Sequence, residues 1–275
     1  MDDLRRLQLC ELEILKAVVE VCDRHNLKYW LVYGTLLGAV RHHGFIPWDD
    51  DMDLAMELKD LARFEKYARK ELSSQYFVQT PRSERRGRWL FCKIRKEGTL
   101  CLQKEEKRAP YLHQGIWIDI FPIIDLSNNM RVKNAQISIL QALQRSKLNH
   151  IEIQKKFSIK NTLKLAYELF LRVYESILWR VLLALGYIKK KGTGECYLIG
   201  TNWINLQQPE RFTFKREYFS GDMKKYQFED AEFTSMENAH DYLSAFYGDY
   251  MTPKRYTHIG DFPNIVFDMD GINTE

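Results

Sequence analysis

Cysteine is scarce in this sequence, and the number and spacing of the cysteines argue against stabilisation through zinc or disulfide bonds. The five cysteines (Cys10, Cys22, Cys92, Cys101 and Cys196) are odd in number and include no Cys-x-x-Cys pair. Neither a zinc site nor a disulfide framework is indicated, and reduced thiols are the expected state. The N-terminus also lacks the apolar segment of a secretory signal peptide, so we expect a cytoplasmic protein.

A strong excess of one charge is missing as well. The 275 residues include 41 basic and 37 acidic side chains, which gives a formal net charge of +4. So small an imbalance argues against a nucleic-acid partner, although it suits an enzyme that handles anionic phosphates. The apolar fraction of 45% is ordinary for a globular protein with a real core.

Glycine is absent from residues 116–185 and proline from residues 123–208. Without these helix breakers, most of the region is predicted to be helical. Its most apolar part, residues 163–185, is predicted to be an amphipathic helix, because charged residues interrupt it and four of them share one face. We favour a helix packed in an inserted subdomain. The alternative is a helix lying on the inner membrane leaflet, which the lysines at 189–191 support.

The periodicity of the remaining chain predicts both helices and strands. The helices are predicted over residues 4–25, 59–72 and 238–246. The strands are predicted over residues 76–78, 89–94, 212–214 and 228–233, with a turn at Gly221-Asp222 before the last one. Together with the helical middle region, these elements indicate an α+β fold.

The most informative stretch is residues 29–53. It begins with an apolar, aromatic run typical of a buried strand. Gly34 and Thr35 predict a tight turn before a short helix at residues 36–40, and the backbone N–H groups of such a turn can bind phosphate. Further on, the alternation Asp51-Met52-Asp53 predicts two carboxylates on one strand face, an arrangement that a divalent cation stabilises. This layout is typical of a nucleotidyltransferase-type phosphoryl-transfer site.

A third carboxylate lies in the apolar segment of residues 115–122. Asp119 interrupts an otherwise apolar strand there, and its burial costs free energy unless a partner compensates it. A metal shared with Asp51 and Asp53 would provide that compensation. An aspartate hydrogen-bonded to the backbone at a strand end is the alternative, and the upstream pair makes the metal role the favoured interpretation.

The motif Gly-Thr-Leu-Leu-Gly-Ala-Val-Arg-His-x-Gly-Phe-Ile-Pro-Trp-Asp-Asp-Asp-x-Asp resembles the signature of the LicD family, of which fukutin and its related protein are distant members. The resemblance spans roughly residues 30–56. The segment Ile-Asp-Ile-Phe-Pro around Asp119 and the closing segment at residues 247–253 also resemble this family. The resemblance implies a nucleotidyltransferase-like mixed sheet flanked by helices, with a helical insertion. We therefore expect a core with the metal site at residues 1–125, an insertion at 126–195, and strands and a helix at 196–275 that complete the core domain.

The resemblance also implies a function. It implies an enzyme that transfers phosphocholine, or a related phospho-alcohol, from a CDP-linked donor to a hydroxyl of a glycan. The expected donor is a CDP-alcohol, most commonly CDP-choline. The expected acceptor is a cell-surface glycan, a lipid-linked glycan or a teichoic-acid precursor.

The predicted mechanism depends on a divalent cation, Mg²⁺ or Mn²⁺. Asp51, Asp53 and Asp119 are its predicted ligands, and the cation would neutralise charge on the leaving nucleotide and align the acceptor hydroxyl. Asp49 and Asp50 precede these ligands in the sequence. Each is predicted to tune the site, to contact the cationic head of the donor or to act as a base.

The remaining predicted site residues contact the substrate. Gly34 and Thr35 are expected to bind donor phosphate through backbone N–H and hydroxyl groups. Arg41 and His42 either bind phosphate or form a structural ion pair with the aspartates, and Lys93 is a weaker phosphate candidate. Two alternatives to the transferase stay open: a metal-dependent glycosyltransferase that uses Asp-x-Asp, and a non-catalytic glycan- or membrane-binding module.

Overall fold

The structure is a computed structural model, which describes residues 2–72, 74–84, 87, 89–102, 111–148, 159–187, 194–200, 207–253 and 265–266. The chain divides into two compact units. Unit 1 comprises Met1–Gln79, Cys92–Pro122 and Tyr218–Glu275, and unit 2 comprises Thr80–Phe91 and Ile123–Glu217. The division predicted above, at residues 125 and 195, stays a prediction.

The helices and strands follow one another in a mixed order. In chain order they are α1 (Asp3–Arg24), β1 (Trp30–Leu31), α2 (Tyr33–His42), β2 (Asp53–Glu57), α3 (Leu58–Glu71), β3 (Tyr76–Gln79), β4 (Cys92–Lys96), β5 (Leu100–Cys101), β6 (Trp117–Asp125), α4 (Met130–Leu148), α5 (Ile159–Tyr187), β7 (Glu195–Leu198), β8 (Thr213–Lys215), β9 (Met223–Phe228), β10 (Ala231–Met236), α6 (Ala239–Tyr247) and β11 (Ile265–Val266).

The sheet of unit 1 has the strand order β1-β2-β6-β4-β3. β1 is antiparallel to β2, and β4 is antiparallel to both β3 and β6, with Lys93 directly opposite Asp119. β9 and β10 form an antiparallel hairpin, and β5 pairs with β11. The chain combines helices with a mixed sheet, which confirms the predicted α+β class.

Helix α1 illustrates how local sequence fixes an element of unit 1. Asp2 caps its start by accepting a hydrogen bond of 2.8 Å from the N–H of Arg5. The chain leaves the helix at His25, and Asn26 then adopts a left-handed backbone with φ 51°. One face is buried through apolar side chains, each worth about 1.5–3 kcal/mol when fully removed from water; these are Leu7, Leu12, Ile14, Leu15, Val18, Val21 and Cys22. The predicted helix over residues 4–25 is confirmed.

Two predicted strands are wrong in detail. β2 begins at Asp53, so Asp51 precedes the strand and the two carboxylates do not project from one strand face. The reason is that its partner β1 ends at Leu31, where the chain turns into α2. The predicted strand over residues 228–233 is interrupted by the turn of the β9–β10 hairpin: Phe228 ends β9, Glu229 turns the chain with a left-handed backbone of φ 56°, and residues 231–233 begin β10.

Unit 2 contains the long helices predicted from the missing glycine and proline. Asn129 begins α4, since its side-chain Oδ1 accepts hydrogen bonds from the N–H groups of Arg131 (3.0 Å) and Val132 (3.3 Å). α4 packs against α5. The last three residues of β6 pair with β7, and β7 pairs with β8. In the part of the chain that the structure describes, no helix combines the length and apolarity needed to cross a membrane.

Candidate functional site

The turn between β1 and α2 brings a carboxylate against the start of a helix. A Cβ atom built on Gly34 would lie 2.5 Å from Oδ2 of Asp49, so only glycine leaves room for that carboxylate. Tyr33, the first residue of α2, has a left-handed backbone with φ 48°. The first N–H groups of a helix have no intrahelical partner and carry partial positive charge. Such a helix start attracts anionic groups in general, and the binding of donor phosphate at Gly34 stays a prediction.

Thr35 holds the first residue of β2 in place. Its Oγ1 accepts a hydrogen bond of 2.7 Å from the backbone N–H of Asp53, and the side chain of Thr35 is buried. On the other side, the carbonyl of Asp53 accepts a bond of 3.2 Å from the N–H of Val32. The backbone of Asp53 is thus held by hydrogen bonds through both its N–H and its carbonyl. The predicted contact of Thr35 with donor phosphate stays a prediction.

Three consecutive carboxylates cluster in the loop before β2. Among the described residues, Asp49, Asp50 and Asp51 form the one group of three acidic side chains that can each place an oxygen within 4.8 Å of the others. Burial and repulsion from Asp50 raise the pKa of Asp49 to about 7. Such a cluster of oxygen ligands is of the kind that Mg²⁺ and Ca²⁺ bind. It shares Asp51 with the predicted triad.

The other two predicted ligands lie on neighbouring strands. The N–H of Asp119 donates a hydrogen bond of 2.9 Å to the carbonyl of Met52, which sets β6 beside the start of β2. Burial, followed by repulsion from Asp51 and Asp119, holds the pKa of Asp53 well above its usual value. Asp51, Asp53 and Asp119 are therefore close enough to repel one another. Their joint coordination of a metal stays a prediction.

Lys93 is placed to compensate Asp119. Its Nζ lies 2.8 Å from Oδ1 of Asp119 and 4.5 Å from the centroid of the Trp117 ring, and the side chain is almost fully buried. This ion pair is the compensation that an aspartate in an apolar strand requires. The structure thus brings Lys93 to the site through Asp119.

A fourth acidic element of the site comes from α1, and the sequence analysis missed it. Glu11 is only 2% exposed, and its Oε2 has no hydrogen-bond partner among the residues that the structure describes. Burial, followed by repulsion from Asp51, Asp50, Asp49 and Asp53, raises its pKa well above the usual value. The available signal was a charged residue in phase with the apolar stripe that runs through Leu7, Ile14 and Val18.

Gln8, one turn earlier on the same face of α1, holds the aspartate loop. Its Nε2 donates hydrogen bonds to the carbonyls of Asp49 (2.9 Å) and Ile46 (3.4 Å). Residues three apart on a helix are neighbours on its surface, so Gln8 and Glu11 face the same loop. Helix α1 therefore supplies both a clamp on the loop backbone and an additional carboxyl group.

The last turn of α2 carries the two predicted basic residues. Nε of Arg41 donates a hydrogen bond of 3.0 Å to Nε2 of His42, and Nη1 of Arg41 donates to the carbonyl of Tyr250. Burial, followed by the charge of Arg41, lowers the pKa of His42, which keeps the imidazole neutral and able to accept this bond. The closing segment at residues 247–253 thus fixes Arg41 through its backbone.

A buttress formed by the β9–β10 hairpin supports the loop after α2. Glu229 accepts bonds from the guanidinium of Arg5 at 3.0 and 2.5 Å and from the N–H of Phe45 at 3.2 Å. Its own N–H donates to the carbonyl of His43 at 2.8 Å. A Cβ built on Gly44 would lie 2.6 Å from Oε1 of Glu229, so the buttress needs glycine there.

The sequence of this chain is similar to known proteins over the region that contains the predicted site. Residues 26–148 match the family model described as LicD/FKTN/FKRP, nucleotidyltransferase domain. Over 259 residues the chain is 28% identical to the lipopolysaccharide cholinephosphotransferase LicD of Haemophilus influenzae. The aligned region covers 90% of this chain and 91% of that relative. The resemblance to the LicD family is therefore confirmed, over residues 26–148 by the family model and over most of the chain by this relative. The matched region contains every predicted site residue, and Glu11 lies before it.

Two further relatives match this chain over shorter stretches. Human ribitol 5-phosphate transferase FKRP is 42% identical over 62 residues, which are 22% of this chain and 12% of the relative. An uncharacterized protein of Rickettsia prowazekii is 48% identical over 48 residues, which are 18% of each chain. Among these three relatives, only the Haemophilus influenzae protein is similar over most of this chain.

Proposed function

We propose that this protein transfers phosphocholine, or a related phospho-alcohol, from a CDP-linked donor to a glycan hydroxyl. One observation carries the proposal: Asp49, Asp50 and Asp51 cluster in the loop before β2, with the Asp49 carboxylate against Gly34 at the start of α2. The relatives support the substrate class, since one is named a lipopolysaccharide cholinephosphotransferase and another a ribitol 5-phosphate transferase. Both names describe transfer of a phospho-alcohol.

The residues present fit a divalent cation. Among the described residues, Oε2 of Glu11 is buried without a hydrogen-bond partner and the pKa of Asp53 is raised by burial and by neighbouring carboxylates, so a cation would stabilise this cluster. The cluster offers carboxylate oxygens, which suit Mg²⁺ or Mn²⁺. We propose that Asp51, Asp53 and Asp119 hold the ion and that Glu11 supports the cluster from α1.

The chain's own groups then have distinct tasks. A bound cation supplies charge neutralisation at the donor diphosphate. The N–H groups at the start of α2 bind donor phosphate, and Gly34 allows the close approach. Lys93 keeps Asp119 oriented through their 2.8 Å ion pair. Asp49 lies against the start of α2, so we assign it the role of accepting the proton of the acceptor hydroxyl.

The remaining groups contact the two ends of the donor. Asp50 is assigned to the cationic head of the alcohol, because a half-buried carboxylate of the cluster attracts a trimethylammonium group by its charge. Arg41, fixed through Tyr250, is assigned to donor phosphate together with His42. We further propose a cytoplasmic location, since all five cysteines are free and four of them are buried.

The experiment that tests this proposal is ³¹P NMR of the full chain with Mg²⁺, a crude surface-glycan acceptor and one of four donors, namely CDP-choline, CDP-ethanolamine, CDP-glycerol or CDP-ribitol. We expect release of CMP from one donor, and a fall of about 10³-fold or more in Asp53→Asn. Asp222→Asn is the matched control, because Asp222 is an exposed aspartate on the β9 side of the same unit. Turnover of nucleotide sugars alone would instead indicate a glycosyltransferase, and no turnover with any donor would indicate a binding module.

A further inference from the structure

Helix α5 presents its charged stripe to the protein and its apolar stripe to solvent. Glu168 is 0% exposed. Glu175 is nearly buried, and its Oε2 lies 2.8 Å from Nζ of Lys147 on α4. Its Oε1 accepts a hydrogen bond of 2.9 Å from Ser146. The acidic side chains of α5 are thus satisfied inside unit 2.

The outward side of α5 is strongly apolar. Of the 14 large apolar side chains that are exposed in the described part of the chain, ten lie on this helix, including Phe170 at 61% and Ile177 at 53%. The ten are Leu163, Leu165, Tyr167, Leu169, Phe170, Val173, Tyr174, Ile177, Val181 and Leu183. At 1.5 Å per residue, the 29-residue helix extends this face over roughly 40 Å. Soluble proteins rarely leave so large a contiguous apolar patch in water.

In the sequence, basic residues precede and follow α5. The stretch before the helix includes Lys155 and Lys156, Lys164 lies in its first turns, and lysines follow at 189–191. Within the described part of the helix, Arg180 is exposed. Since the two acidic residues of the helix are turned inward, the outward face combines apolar and basic groups. That combination is typical of helices that lie in the interface of an anionic membrane.

The same charges oppose a second copy of the chain as the partner. Two α5 helices that pack face to face place a basic end against a basic end, whether they run parallel or antiparallel. Like charges brought together in an apolar contact are repulsive and lose their hydration. An anionic lipid surface, by contrast, attracts both ends and accepts the apolar side chains between them.

We propose that the apolar face of α5 binds the surface of an anionic lipid membrane, with the helix lying in the membrane plane. The side chains of Phe170, Val173 and Ile177 enter the boundary between headgroups and acyl chains. Arg180 contacts the anionic headgroups, and the lysines that flank α5 in the sequence add positive charge to this region. Because the helix carries buried charges along its inner side, it lies on the membrane and does not cross it.

The test is co-sedimentation of the full chain with vesicles. We expect binding to vesicles of phosphatidylglycerol and phosphatidylcholine, weak binding to phosphatidylcholine alone, and weakening of the binding by salt. The variant with Phe170→Gln and Ile177→Gln should bind about tenfold less tightly or weaker, since two buried apolar side chains are lost. Met251→Gln is the matched control, because it removes an apolar side chain of similar exposure (56%) from unit 1.

Several outcomes overturn the proposal. Absence of binding to anionic vesicles does so, and so does equal binding by the wild type and the double variant while both remain folded by circular dichroism. A wild type that elutes as a dimer, together with a monomeric double variant, would assign this face to a second copy. Vesicle binding needs neither donor nor turnover, so the result is independent of the proposed reaction.

Discussion

Helices α1 and α5 are both long and amphipathic, yet they are oriented oppositely toward the protein. α1 buries its apolar stripe, and Leu15 on it is 0% exposed. α5 buries charged residues and leaves its apolar stripe in solvent, where Leu169 is 51% exposed. The periodicity of a sequence therefore establishes that a helix has two faces, whereas the neighbours in the fold decide which face is inside.

The few polar residues that each helix does bury have different purposes. On α1, Gln8 clamps the aspartate loop and Glu11 joins the carboxylate cluster without a hydrogen-bond partner for Oε2 in the described part of the chain. On α5, Glu175 is fully engaged by Lys147 and Ser146. An unsatisfied buried carboxyl indicates a ligand site, while a satisfied one indicates structural packing.

The largest expected effect is loss of the ion pair between α4 and α5. Lys147→Met leaves Glu175 buried without its cation, so the free energy of unfolding should fall by about 3–5 kcal/mol in urea titrations. The double variant with Lys147→Met and Glu175→Leu removes both charges and should recover to within about 1 kcal/mol of the wild type. A Lys147→Met variant as stable as the wild type would show that the ion pair with Glu175 does not stabilise the packing of α4 against α5.

The comparison of the two helices is tested most directly by the same substitution on each. Leu15→Ala creates a cavity in the core of unit 1 and should lower the free energy of unfolding by about 2–5 kcal/mol. Leu169→Ala changes an exposed side chain and should cost at most about 0.5 kcal/mol. Both are measured by urea denaturation without vesicles. Equal costs would mean that the outer face of α5 is packed within the protein.

The role of Glu11 is sharpened by Glu11→Gln, which keeps the shape and removes the charge. We expect Mn²⁺ to bind about tenfold or more weakly in calorimetric titrations of the full chain, because one carboxylate of the cluster is lost. The thermal midpoint of the metal-free protein should not fall, since burial disfavours the charged form. Glu20→Gln on the exposed side of α1 is the control and should bind as the wild type does; equal affinities in both variants would make Glu11 purely structural.

The smallest effect concerns the buttress of Glu229. The hydrogen bonds from Arg5 lower the pKa of Glu229 below 4.5, so the folded state prefers the ionised form. Its contribution is present above pH 4.5 and is lost as the pH falls below that value. The wild type should therefore lose about 1 kcal/mol more than Glu229→Gln between pH 5 and pH 3, a value reduced by the partial exposure of Arg5.

Urea titrations at several pH values check this effect. The matched control is Glu232→Gln, an exposed residue of the same hairpin, which should show the pH dependence of the wild type. The same loss in wild type and Glu229→Gln would show that the buttress adds nothing to stability.

Much of the site was predictable because its residues lie close together in the sequence. The motif at residues 29–53 contains the turn at Gly34, the basic pair and the aspartate loop, and the family match includes all of them. The strand register that sets Lys93 opposite Asp119 was not predictable, since those residues are 26 positions apart. The expected strand face shared by Asp51 and Asp53 was wrong, because β1 ends too early to pair with the segment before Asp53.

Four features could be predicted from the residues alone: the α+β class, the helical middle region, the capped helix α1 and the grouping of aspartates before β2. They follow from local spacing, from caps, and from the absence of glycine and proline. That Glu11 joins the aspartates, and that the charged stripe of α5 is the buried one, became evident from the fold. The physical reason is that a side chain's burial depends on the partners that pack against it. The fold brings Lys147 against α5 and the aspartate loop against α1.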